Sequence, residues 1–188
     1  FLVHYSTDYV FDGSKREGLY TEEDQANPIN KYGLSKLLGE RFASQVVDNM
    51  LLLRVSWVFG EGRQNFVNKV LSWAKECEQL QISADEVSVP TWARRIALVS
   101  YEAIGEGITG LYHLVSSGYT SRYEWAKEIL RLCHKDKLVV PVSADVFDLP
   151  AKRPKFSAMS NERISKELSV SIPSWEEDLK EYLKEATY

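Results

Sequence analysis

Phe1-Leu2-Val3-His4-Tyr5 and Met50-Leu51-Leu52-Leu53-Arg54-Val55-Ser56-Trp57-Val58 are two apolar, β-favouring runs, and a helix-patterned stretch lies between them. Neither run alternates apolar with polar residues, as a half-exposed strand does, so both are expected to be parallel strands covered on two faces. Between them Leu34, Leu37, Leu38, Phe42 and Val46 recur at helical spacing, and Pro28 suits the first turn of that helix. Residues 12–27 are polar and turn-rich, which predicts a loop. Strand, helix and strand in succession decide for an α/β fold.

The same alternation continues downstream. Phe66, Val67, Val70, Leu71 and Ala74 mark a second helix, and Leu80–Ser83 a short strand. Thr91 is placed to cap a helix running to about Gly105, and Leu111–Val115 follows as a strand. Ser121-Arg122-Tyr123-Glu124 has the capping-box pattern and opens a helix to about His134. Leu138–Val142 is a further strand, and residues 143–156, with Pro150 and Pro154, form an irregular loop. Short helices are expected at 161–168 and, behind the capping box Ser174-Trp175-Glu176-Glu177, at 174–185. The predicted architecture is part of a Rossmann-like parallel sheet with a smaller mixed α/β substrate-binding lobe. Residues 1–62 are assigned to the sheet domain. Residues 63–188 are assigned mainly to the lobe, with some segments returning to the sheet.

Composition narrows the function. The chain has 188 residues, 44% of them hydrophobic, with 23 Lys+Arg against 27 Asp+Glu and a formal charge of −4. That balance argues against nucleic acid as a partner, which calls for a basic stripe. No apolar run reaches the roughly 20 residues that span a bilayer, so no membrane partner is expected. Cys77 and Cys133 have no C-x-x-C spacing and are expected to be reduced, pointing to the cytoplasm. The chain starts inside a strand and without Met, so it is expected to be the downstream part of a longer polypeptide.

Gly105-Glu106-Gly107-Ile108-Thr109-Gly110 matches G-x-G-x-x-G, the fingerprint of a dinucleotide phosphate loop. That loop must follow a strand and open a helix, so that the helix N-terminus meets the pyrophosphate. Here a helix precedes and a strand follows, so the glycines are expected to end a helix instead. No other segment supplies the fingerprint.

Tyr32-Gly33-Leu34-Ser35-Lys36 sets a phenol and an ammonium four residues apart, on one helix face. Reduction of a ketone leaves an alkoxide that must take a proton. A phenol with a pKa of about 10 gives one reluctantly, and lowering it by ~3 units is worth roughly 4 kcal/mol. An exposed helical Tyr and Lys would show the same spacing. The surroundings favour catalysis, because Ser6-Thr7-Asp8 and Trp57 emerge at strand carboxyl ends, where open α/β sheets bind ligands.

Three runs then resemble the dTDP-4-dehydrorhamnose reductase family of extended short-chain dehydrogenases: Ser6-Thr7-Asp8-Tyr9-Val10-Phe11-Asp12-Gly13, Asn30-Lys31-Tyr32-Gly33-Leu34-Ser35-Lys36-Leu37-Leu38-Gly39-Glu40 and Leu53-Arg54-Val55-Ser56-Trp57-Val58-Phe59-Gly60. Val89-Pro90-Thr91-Trp92-Ala93, Lys152-Arg153-Pro154 and Ile172-Pro173-Ser174-Trp175-Glu176 extend the resemblance along the chain. It implies NADPH or NADH as cofactor, a dTDP-sugar substrate and a homodimer. Thr7, Tyr32 and Lys36 would be the triad: Thr7 positions the sugar carbonyl, Tyr32 gives the proton, and Lys36 lowers the Tyr32 pKa and binds the nicotinamide ribose. Ser6 would contact the cofactor, Tyr9 and Trp57 the sugar, and Arg153 the diphosphate. Where the family shows an Asp-Gln-x-Gly-x-Pro-Thr-like run, this chain has Asp85-Glu86-Val87-Ser88-Val89-Pro90-Thr91. Lys152-Arg153-Pro154-Lys155 is equally a solvated basic loop, and Glu22-Glu23-Asp24 is expected to be solvated too. Two other readings stay open. A related dehydratase or epimerase is disfavoured because Tyr9, not Glu, follows Thr7-Asp8. A non-catalytic relative such as the regulatory subunit of methionine adenosyltransferase keeps a similar Tyr-x-x-x-Lys.

Overall fold

The computed structural model describes residues 1–62 and 64–185. A parallel sheet of order β1-β2-β7 is its centre, formed by β1 (Leu2–Thr7), β2 (Met50–Val55) and β7 (Gly110–His113). Helix α1 (Lys31–Val46) makes the crossover from β1 to β2. Beyond β2 come β3 (Val58–Phe59), α2 (Phe66–Glu76), β4 (Gln79–Ser83), β5 (Val87–Ser88), β6 (Thr91–Trp92) and α3 (Ala93–Gly105). After β7 follow β8 (Thr120–Ser121), α4 (Arg122–Leu132), β9 (Leu138–Val142), α5 (Glu162–Leu168) and α6 (Trp175–Glu185). The fold is α/β, with a Rossmann-like parallel sheet and smaller two-stranded sheets β3-β6, β4-β9 and β5-β8 beside it. Among the described residues no helix is long and apolar enough to cross a membrane.

Leu51 and Leu53 of β2 are fully buried against Ile96, Val99 and Ala103 of α3. A second core joins α2, α4 and α6 over β4, with Trp125 and Leu179 buried at its centre. The capping box of α6 is complete: the Glu177 amide donates to Ser174 Oγ at 3.3 Å and the Ser174 amide to a Glu177 carboxylate oxygen at 2.8 Å.

Several expectations change. The run from Met50 to Val58 is not one strand. Trp57 sits at φ +37°, left-handed backbone that a bulky side chain rarely adopts, and there the chain leaves β2 to pair β3 with β6. Helix α1 starts after Asn30, whose side chain accepts from the Gly33 amide at 2.8 Å, so Pro28 precedes the helix. Its buried face is Gly33, Leu37 and Glu40, while Leu34, Leu38, Phe42 and Val46 form an exposed stripe. Periodicity marked the wrong face because the contact with β2 is polar: Arg54 donates to both Glu40 carboxylate oxygens, at 3.0 and 2.7 Å. Thr91 does not cap α3, since its hydroxyl turns back to the Val89 carbonyl at 3.3 Å. The acidic loop is not merely solvated: Glu22 accepts from the His113 amide at 2.7 Å and Asp24 pairs with Lys15.

The glycine run ends a helix. The Gly107 amide donates to the Ile104 carbonyl and the Ile108 amide to the Ala103 carbonyl, both at 3.1 Å, which is a Schellman closure with Gly107 left-handed at φ +68°.

Candidate functional site

The register pairs Thr7 with Val55, so the chain leaves β1 and β2 side by side at the carboxyl edge of the sheet. Asp8 and Ser56 are the next residues, and both are buried. Asp8 lies at the centre of a hydroxyl cluster. Its carboxylate accepts from Thr7 Oγ1 at 3.1 Å, Ser88 Oγ at 2.9 Å and Ser157 Oγ at 2.6 Å. Ser88 Oγ in turn lies 2.6 Å from Ser56 Oγ. Burial pushes the Asp8 carboxyl above the ordinary carboxylate range, and the Ser157, Ser88 and Thr7 hydroxyls pull against that. The cluster ties the ends of β1 and β2 to β5 and to the loop at Ser157. It also holds Thr7, whose Oγ1 accepts from the Tyr9 amide at 3.2 Å.

Gly33 brings α1 onto this edge. A Cβ there would stand 2.0 Å from the Tyr9 carbonyl oxygen, so only glycine allows the approach. As a result the Tyr32 ring meets the Tyr9 ring edge-on at 6.0 Å. Tyr32 is 56% exposed. One turn on, Lys36 Nζ donates to the Tyr5 carbonyl at 2.6 Å, which fixes it over the end of β1. Ser6 is buried in the same strand, and among the described residues its Oγ has no hydrogen-bond partner.

Beyond the end of β2, at Trp57, opens a cavity of about 590 Å³. Trp57 and Arg153 line it together with Arg122, Glu86, Phe66 and Trp73. Trp57 is no bare platform. It stacks on Trp125 with centroids 5.7 Å apart, and the Arg122 guanidinium lies 4.2 Å over its ring. Glu86 accepts from Arg122 Nε at 2.9 Å and faces Arg153 Nη1 at 3.7 Å. Burial raises the Tyr9 phenol above its usual value, with Asp8 adding to the effect and Arg122 and Arg153 opposing it. Tyr9 thus meets Tyr32 edge-on and lies near enough to Arg122 and Arg153 for their charges to act on its phenol. Asn30 Nδ2 donates to the Lys152 carbonyl at 3.0 Å, which ties the Arg153 loop to the start of α1.

The structure thus brings Thr7, Tyr9, Tyr32 and Lys36 to one edge, buries Ser6 in the same strand, and places Trp57 and Arg153 together in a cavity. Sequence reasoning missed Arg122, Glu86, Ser88 and the organising role of Asp8. Arg122 stood only as the second residue of a capping box, and that cap exists: Ser121 Oγ accepts from the Glu124 amide at 3.1 Å. Glu86 and Ser88 did carry a signal, because they are the two positions at which the chain departs from the Gln and Gly of the related run.

Comparison with known proteins agrees with these motifs. The family described as RmlD substrate binding domain matches residues 1–188. The dTDP-4-dehydrorhamnose reductase of Burkholderia thailandensis is 37% identical over 191 residues, covering 93% of this chain and 64% of the relative. A dTDP-4-dehydrorhamnose reductase structure from Clostridium acetobutylicum superposes with a TM-score of 0.92 at 37% identity, over 97% of this chain and 64% of that one. One from Bacillus anthracis, solved in complex with NADP, gives 0.93 at 34% identity, over 98% and 65%. The chain therefore spans less than two thirds of the length of each of these relatives. Matched from end to end by the family model, the chain belongs to the RmlD substrate binding domain family, the dTDP-4-dehydrorhamnose reductase family that its motifs resemble.

Proposed function

We propose that the protein containing this chain reduces the 4-keto group of a dTDP-4-keto-6-deoxyhexose with NADPH or NADH, in dTDP-rhamnose biosynthesis. The observation that carries the reading is Tyr32 with Lys36 one turn away on α1, beside Thr7 at the carboxyl edge of the sheet, in a chain of this family. Tyr32 is accessible and gives the proton. Lys36 sets a positive charge on the same helix face, where it favours the phenolate left behind. Thr7 orients the ketone oxygen. Tyr9 and Trp57 line the sugar's path, and Arg153 meets the diphosphate.

The nicotinamide cofactor, when bound, supplies the hydride. The residues present fit it: among the described residues the buried Ser6 Oγ lacks a hydrogen-bond partner, and Lys36 is anchored to the Tyr5 carbonyl of the same strand. Residues 1–62 then belong to the dinucleotide-binding domain, and residues 63–188 mainly to the substrate lobe, with segments returning to the sheet. A cytoplasmic homodimer completes the proposal. The exposed stripe Leu34, Leu38, Phe42 and Val46, spaced one turn apart along α1, supports an apolar partner there.

The test is reduction by the whole protein. Absorbance at the reduced nicotinamide band should fall on adding a dTDP-4-keto-6-deoxyhexose, and the dTDP-6-deoxyhexose should form in equal amount. Saturating ketosugar with no oxidation of either NADPH or NADH would exclude the reading.

A further inference from the structure

Glu86 is 4% exposed and lies against the wall of a cavity. A buried carboxylate is costly unless paired, and this one gathers two guanidinium groups, Arg122 at 2.9 Å and Arg153 at 3.7 Å. Arg122 uses only Nε for that bond. Among the described residues its two terminal nitrogens make no hydrogen bond. Its plane is fixed by two rings, with the guanidinium 4.2 Å over Trp57 and 5.2 Å over Phe66. A guanidinium stacked in this way keeps its N–H edge free and loses little freedom on binding.

We infer that Arg122 and Arg153, braced by the buried Glu86, form a two-guanidinium clamp for the diphosphate of a sugar nucleotide, with Arg122 the more rigid jaw. The identity of the nucleotide rests on the reductase reading above. Arg153 alone entered that reading; Arg122 and Glu86 are new to it.

Charge supports the clamp. Among the described residues, the charged side chains lining the cavity are Lys69, Arg122, Arg153 and Glu86. Three cations against one carboxylate leave two positive charges, which match the two negative charges of a diphosphate diester. The rest of the lining suits the remainder of such a ligand. Phe66, Trp73 and Phe147 give aromatic surface for a base, and Trp57 a further ring for the sugar. The departure of Glu86 from the related Gln has a consequence here. A carboxylate hydrogen-bonds Arg122 and faces Arg153 with a charge that a neutral amide lacks.

Calorimetric titration of the whole protein with dTDP and with thymidine tests this. Arg122→Met should weaken dTDP at least tenfold while changing thymidine affinity less than twofold. Arg122→Lys keeps the charge and loses the planar fork, and should weaken dTDP at least threefold; it decides the matter if the Met variant does not fold. The proposal is overturned if dTDP affinity stays within twofold in Arg122→Lys and Arg122→Met, if thymidine weakens as much as dTDP, or if the wild-type protein binds no dTDP. Failure of the reductase reading shows separately: dTDP binding that depends on Arg122, with no ketosugar reduction, leaves the clamp standing and removes the reaction.

Discussion

His113 shows how much one buried side chain can decide. It is fully buried at the end of β7, edge-on to Phe11 at 5.7 Å. Burial, with the Arg54 guanidinium next in weight, pushes its pKa down to about 3. The unfolded chain takes up the proton near the ordinary value of about 6.5. With the folded value depressed, the unfolded state binds more protons between those limits, so stability is lost as pH falls from about 6.5 toward about 3. His113→Gln removes the titration. Between pH 7 and pH 5 the wild-type protein should lose about 2 kcal/mol more than this variant, read from urea unfolding at the two values. Equal losses would show that His113 does not titrate on unfolding. At this scale the sequence was legible in placement, since Tyr32 and Lys36 do lie one turn apart on α1. It was silent on Arg122, because a helix N-terminus says nothing about which ring the side chain will cover, and on Asp8, whose three hydroxyl donors come from segments as distant as Ser157.

Helix α1 is the element on which the site depends. Its existence followed from pattern, but its buried face did not. Periodicity counts apolar residues, whereas this helix buries a glycine and a paired carboxylate. Gly33 yields a prediction of sign. Gly to Ala within a helix ordinarily gains roughly 1 kcal/mol. Here the added methyl would stand 2.0 Å from the Tyr9 carbonyl oxygen and 3.0 Å from Pro28 Cβ, neither of which is the end of a flexible side chain. Overpacking of this kind costs about 1–3 kcal/mol or more and outweighs the gain. Gly33→Ala should lower the urea midpoint of the whole protein and also slow turnover, since Tyr32 moves with the helix. A raised midpoint would mean that α1 and the turn at Asp8–Val10 are not in contact. Elsewhere the elements held to expectation where local chemistry is strong, as at the Ser174 capping box. They departed where backbone strain intervenes, as at Trp57, whose left-handed φ is invisible in a run of β-favouring residues.

In the molecule as a whole, the carboxyl end of β1 and the start of α1 converge around Tyr9. The α/β class was legible because parallel strands and crossover helices leave period and burial marks along the chain. Both strands of β4-β9 were legible too, but β3-β6 and β5-β8 were not, since their strands span two residues each and carry no pattern. Among the described residues no strand–glycine loop–helix unit presents amides to a pyrophosphate, and the one G-x-G-x-x-G run closes α3. This 188-residue chain by itself should therefore bind NAD(P)H weakly or not at all; a low-micromolar dissociation constant by calorimetry would refute that. The whole protein is where the reaction is to be tested. Tyr32→Phe removes one hydroxyl and almost no volume, and a positioned proton donor contributes about 10²–10⁴-fold. The decisive measurement is the single-turnover rate of ketosugar reduction by the whole protein carrying Tyr32→Phe, with dTDP affinity measured alongside. The predicted result is a rate lower by at least about 10²-fold with dTDP affinity unchanged; a variant that kept more than about a tenth of the wild-type rate would contradict Tyr32 as the proton donor.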